Sequence, residues 1–214
     1  MANPNRPSGF TPVKYLNGAP WNGQANIYSI IATYGTELNI GDPVISSGTA
    51  DAFGIPGINI GAGTGALRGV IVGLYNSGSA TARPGAPTAG GIGDDSITYR
   101  SASHANVWYA AVCDDPNVLF EIQEENVATQ LAATDVGANQ ISVSGTGNGF
   151  ISGWQLAGTT TGAAATTATL QLRLMGLVQR NHRDGANAFG AFAKWLVKIN
   201  THELQAGSVG TVGI

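Results

Sequence analysis

Two apolar runs that meet at a proline turn constrain this chain more than any other feature. Between Ala105 and Glu125 the sequence reads ANVWYAAVCDDPNVLFEIQEE. Trp108, Ala110 and Val112 alternate with Tyr109, Ala111 and Cys113, and Val118, Phe120 and Ile122 alternate with Leu119, Glu121 and Gln123, the period of two that belongs to strands. Proline fixes φ and lacks an N–H, so Pro116 belongs in a connection, and the flanking Asp114, Asp115 and Asn117 can bond their own backbone there. The expectation is a hairpin with an acidic, solvated turn. Its first strand is apolar on both faces and its second on one, with Glu121 turned outward, which places the pair inside a sheet.

Two later runs carry the same signal. In TLQLRLMGLVQ, Leu170, Leu172, Leu174, Gly176 and Val178 face one way, and in FAKWLVKIN, Ala193, Trp195, Val197 and Ile199 alternate with Lys194, Leu196, Lys198 and Asn200. A helix competes for the second run, because Lys194 and Lys198 stand four apart, but β-branched residues and the strand before it favour β. Core strands are expected near 107–113, 118–123, 170–179 and 192–200, forming one core sheet. Shorter β runs precede them at Ala25–Tyr34, Pro43–Ser46 and Leu67–Tyr75, separated by Gly, Asp-Pro and Asn-Gly signals. The spacing predicts an all-β chain with a single β-barrel or jelly-roll-like sandwich and long Gly-rich loops. Weaker β signals sit at Val136, Ile141 and Val143, and Trp154 lies in another short run.

The ends differ from the middle. Residues 1–23 hold Pro4, Pro7, Pro12 and Pro20, a composition that defeats helix and strand, yet Phe10, Tyr15 and Trp21 are spaced through it. One reading is a loose tail whose aromatics fold back on their own domain; the other is an extended N-terminal arm ordered against a neighbour, with Phe10, Tyr15 and Trp21 as anchors. The expected organisation is an arm over 1–23, a β domain over 24–200 and a C-terminal tail over 201–214.

Composition limits the function. Charged residues make up 11% of the 214-residue chain, less than half the roughly 25% of ordinary soluble domains. Glycine contributes 31 residues, so much of the surface is Gly, Ala, Ser, Thr and Asn. A net charge of −3 leaves no basic stripe for nucleic acid and no polybasic segment for a membrane. A single cysteine, Cys113, rules out an internal disulfide framework, and MANPNRPSGF lacks the regions of a signal peptide, pointing to synthesis in a reducing cytoplasm.

Reactive groups are scattered. Gly61-Ala62-Gly63-Thr64-Gly65-Ala66 spells a G-x-G-x-x-A, but a strand-like run follows where a dinucleotide fingerprint needs a helix, so a Gly-rich loop is expected. Asp94-Asp95 lacks the frame of a calcium loop. His104, His182 and His202 fall in no metal or triad spacing, with His182 and His202 expected in solvated loops. Cys113 beside Asp114 and Asp115 reads as core, and Glu121, Glu124 and Glu125 as an acidic rim, not a glycosidase pair. No enzyme, cofactor or metal site is expected. Small neutral side chains suit close contacts repeated in an assembly, since they lose little entropy on ordering and need little charge desolvation.

The segments YRSASHANVWYAAVCDDPNVLFEIQEE, Asp135–Asn139, TTATLQLRLMGLVQR and FAKWLVKIN, with a weaker echo in GDPVISSGTADAFGIPGI, resemble virion structural proteins of tailed bacteriophages, of the kind that decorate or cement the head shell. The resemblance spans roughly Tyr99 to Asn200. It implies a non-enzymatic homo-oligomer, a dimer or trimer, that binds the major capsid protein on the outer surface of the virion after synthesis in the host cytoplasm. On that view Phe10, Tyr15 and Trp21 contact the capsid, and removing 1–23 would leave the domain folded but unattached. The alternative is a phage surface or tail module that binds host glycans, with Trp154 as a stacking platform.

Overall fold

The period-two pattern is carried through the chain. The computed structural model describes residues 3–76, 97–102, 104–145, 151–179, 181–182 (backbone only) and 185–205, with Gly210 and Gly213. Its strands are β1 (Thr11–Tyr15), β2 (Asn26–Ile30), β3 (Leu38–Asn39), β4 (Pro43–Ala50), β5 (Pro56–Ile60), β6 (Gly69–Asn76), β7 (Tyr99–Arg100), β8 (Trp108–Cys113) and β9 (Val118–Gln123). After a 3-10 turn at Ala133–Asp135 come β10 (Asn139–Gln140), β11 (Ser142–Val143), β12 (Gln155–Leu156), β13 (Leu172–Leu177), β14 (Asn181–His182), β15 (Gly185–Ala186) and β16 (Lys194–Ile199). The protein is nearly all β, in several sheets, and no helix among the described residues is long and apolar enough to cross a membrane. Ser77–Gly93 and Asp94-Asp95 lie outside the described residues.

Two sheets dominate. Strands β2, β5, β4, β6 and β8 pair in a ring that closes on itself, and β1, β9, β16, β13 and β10 pair in that order in a second sheet. The expected hairpin at 105–125 is therefore absent: β8 pairs with β2 and β6, whereas β9 pairs with β1 and β16. The chain leaves one sheet at Cys113 and enters the other at Val118, so Asp114–Asn117 is a corner between sheets. The expected single core sheet is corrected in the same way, since β9, β13 and β16 share a sheet that β8 does not enter.

The alternation of β8 explains its place. Trp108, Ala110 and Val112 point into the ring, packing with Tyr28, Ile30, Val44, Ile58, Ile71 and Leu74. On the other face Cys113 joins Leu67, Val70, Phe120, Ile122, Leu172, Leu174, Trp195 and Val197 in a core shared with the second sheet. A strand apolar on both faces is what a sheet covered on both faces needs. Gly69 lets β6 run close to β8, because a Cβ there would lie 2.4 Å from the Cys113 carbonyl oxygen.

β16 alternates buried Trp195, Val197 and Ile199 with half-buried Lys194, Leu196 and Lys198, which settles the helix-or-strand competition for β. β9 is buried on both faces, not one. Glu121 is only 5% exposed and accepts a hydrogen bond from Lys194 Nζ at 3.0 Å, correcting its outward placement.

The N-terminal stretch covers part of that second face. Gln123 Oε1 accepts from the Arg6 backbone N–H at 2.7 Å, and its amide donates to Asn5 Oδ1 at 2.9 Å. The Asn3 amide donates to the carbonyls of Ala188 and Ala191. Gly9, at φ 64°, turns the chain where an added Cβ would strike the Gly41 carbonyl and Ser152. Thr11–Tyr15 then pairs along β9, so the region expected to be an arm contributes an edge strand. Its outer edge is met by its own return, with Trp21 N–H donating to Val13 O and Tyr15 N–H to Ala19 O. At the other end the start of the expected tail is tied down: Leu67 N–H donates to Thr201 O, and Glu203 N–H to Leu67 O.

Candidate functional site

Of the residues expected to touch a partner, Phe10 is placed in the core. It is 1% exposed and meets the Phe120 ring edge to face, with centroids 6.1 Å apart. Tyr15 and Trp21 are half-buried against the same core, and Tyr15 donates its hydroxyl proton to Asn22 Oδ1 at 2.9 Å. Between them Leu16 is 49% exposed, on a turn fixed by its N–H to the Asn117 carbonyl. Tyr15, Leu16, Asn17, Asp115 and Asn117 line a recess of about 520 Å³. The turn after β1 and the corner between the sheets thus present one neutral-to-acidic face with an apolar tip.

Behind that corner lies a polar cluster that sequence spacing conceals. Asp114 is 7% exposed, not part of a solvated rim. Its carboxylate accepts from the Tyr28 hydroxyl at 2.5 Å and from the Asn26 amide at 2.9 Å, while Arg68 Nε donates to the Tyr28 oxygen at 2.8 Å. Burial, then the bond to Asp114, pushes the Tyr28 phenol up to about 12. Glu203 pairs with the Arg68 guanidinium at 3.9 Å and accepts from Ser46 through both its backbone N–H and its hydroxyl. His202 is 1% exposed, which corrects its expected solvated loop, and burial drives it down to about 4. Its Nδ1 accepts the Leu204 N–H at 3.1 Å. A neutral, enclosed imidazole and a serine bonded to a carboxylate do not form a nucleophile–base pair, so these groups tie β2, β4, β6 and the chain after β16 to the corner.

Other titratable groups are equally occupied. Burial lifts the Cys113 thiol to about 12, leaving it protonated. Glu124, fully buried, accepts from the Leu131 N–H at 2.6 Å and from the Trp195 indole at 2.9 Å, and burial raises it to about 7. The Gly61–Ala66 stretch is the loop from β5 into β6, and a strand follows it as expected. Among the described residues no three His, Cys, Asp or Glu side chains converge to hold a metal.

One cleft of about 590 Å³ opens between the ring and the β11–β12 ribbon, lined in part by Glu37, Asn39, Asp42, Gly63, Ser144 and Trp154. Trp154 is 5% exposed and packs in the shared core, so it offers an edge to the cleft and no free face on which a sugar could stack. Asp42 accepts from the Asn39 N–H at 2.8 Å, and burial raises it to about 6. Arg100, with no exposed surface, holds the preceding loop by donating to the carbonyls of Tyr34, Ala32 and Ile31 at 3.0–3.2 Å.

No protein-family model, no curated protein and no solved structure matches the chain.

Proposed function

We propose that this protein decorates the outer surface of a tailed-phage head, binding the major capsid protein as a homo-oligomer and strengthening the shell. In this reading its body is a β-barrel with a sheet packed on one side, made rigid so that its turns can bridge capsomers. The observation that carries the proposal is the distribution of exposed apolar groups. Of the nine large apolar side chains that are at least 36% exposed among the described residues, seven, Leu16, Ile31, Phe53, Val136, Ile151, Phe189 and Leu204, lie outside the strands, and Tyr99 and Met175 lie in β7 and β13. Single apolar tips on a surface poor in charge suit many weak, neutral contacts, which multivalent attachment to a lattice adds together.

The contact face is drawn at Tyr15, Leu16 and Trp21, with Phe10 supporting it from within. Leu16→Asp changes an exposed turn residue, so folding should be unaltered while co-sedimentation with expanded empty heads falls at least tenfold. Full occupancy by the Leu16→Asp protein at wild-type concentrations would remove this face from the proposal.

A further inference from the structure

Glu37 and Asp42 place two carboxylates on the wall of the cleft between the ring and the β11–β12 ribbon, and among the described residues no Lys, Arg or His side chain lines that cleft. Between them stands Asn39, 4% exposed. Its backbone N–H donates to Asp42 Oδ2 at 2.8 Å and its side-chain amide nitrogen to Glu37 Oε1 at 3.1 Å. One residue thus fixes both acids. The amide oxygen of Asn39 is left with no hydrogen-bond donor, and it is closed off from water. A buried carbonyl without donor or water is a costly arrangement that calls for another partner.

We propose that Glu37, Asn39 and Asp42 bind a calcium ion. A bare ion is smaller than a water molecule, so a space closed to water still admits it. The donors are all oxygen, the set that hard cations prefer, and among the described residues neither sulfur nor imidazole lines the cleft to favour zinc. Calcium accepts irregular shells of carboxylate, amide and water oxygens, whereas magnesium demands near-ideal octahedral geometry and gives up its waters reluctantly. Two carboxylates and one amide oxygen anchor the ion, and water from the open side of the cleft completes its shell. The ion would clasp residues 37–42, the stretch that leads through β3 into β4. This site is independent of shell attachment and is read on the isolated protein.

The test uses the full chain stripped with chelator and titrated with terbium under tryptophan excitation, since Trp154 lines the same cleft. Saturable sensitised emission is expected, displaced by calcium and not by equal magnesium. Calcium at 100 times its Kd should raise Tm by roughly 5–10 °C. Glu37→Gln and Asp42→Asn should each weaken binding by about tenfold or more, since charge count sets affinity at such sites. Should Asp42→Asn fail to fold, the half-buried Glu37→Gln carries the comparison. Absent terbium emission with an unchanged Tm, or a Glu37→Gln protein that responds to calcium as the wild type does, would overturn the proposal.

Discussion

At the residue scale, buried ionisable groups set opposing pH dependences. Glu124 keeps its proton to about pH 7 in the folded chain against an ordinary 4.5, so the folded state binds more protons than the unfolded one between those values. Its contribution to stability therefore declines as pH rises through that window. His202 stays neutral down to about 4 when folded against an ordinary 6.5, so its contribution is present above 6.5 and is lost on acidification. The two slopes oppose each other over the range they share. Glu124→Gln removes one of them, and urea midpoints of that variant should fall more steeply than those of the wild type between pH 6.5 and 4.5. Parallel profiles for the two proteins would show that Glu124 does not titrate in this way. None of these groups was legible in the sequence. Tyr28 and Asp114 are 86 positions apart, and Trp195 and Glu124 are 71 apart, so only the crossing of strands brings them together.

At the scale of elements, alternation located β8, β9, β13 and β16 to within a few residues, because β8, β9 and β16 each bury at least one full face and β13 buries Leu172 and Leu174 on one. It did not reveal which strands pair. A short Asp-Pro connection serves a hairpin and a sheet-to-sheet corner equally well, and the burial of Asp114 under Tyr28 and Arg68 decides for the corner. β1 and β5 were hidden by Pro12 and by Pro56-Gly57, residues that argue against central strands but fit an edge position and a first strand residue. The acid-lined cleft escaped notice because Glu37, Asn39 and Asp42 stand in a short stretch with neither a calcium-loop frame nor a histidine.

The N-terminal element changes an expectation about truncation. Removing 1–23 would strip β1 from β9, uncover Gln123 and take Phe10 from the shared core. Emptying a buried Phe site alone costs about 3–5 kcal/mol, a large share of the roughly 5–15 kcal/mol that keeps a domain folded. The truncated chain should express as aggregate or melt far below the full chain in circular dichroism. A truncated protein with an unchanged melting temperature would restore the view of 1–23 as a dispensable arm.

In the whole molecule a ring and a sheet meet across one shared core, with polar ties at the corner and apolar tips on several turns. The ring leaves no open edge, and the chain's own return meets the outer edge of β1. Strand-by-strand addition of a partner is therefore disfavoured at these places. The nearly all-β character was legible from composition and period. The course of residues 3–23 was not, because Pro-rich sequence reads alike whether it trails free or is stitched down by Asn3, Asn5 and Arg6. The most direct measurement is the melting temperature of expanded empty heads that lack this protein, recorded with and without saturating purified chain. Decoration predicts that the protein pellets with the heads at a fixed stoichiometry and raises their melting temperature. Heads that melt identically, with the chain left in the supernatant, would contradict it.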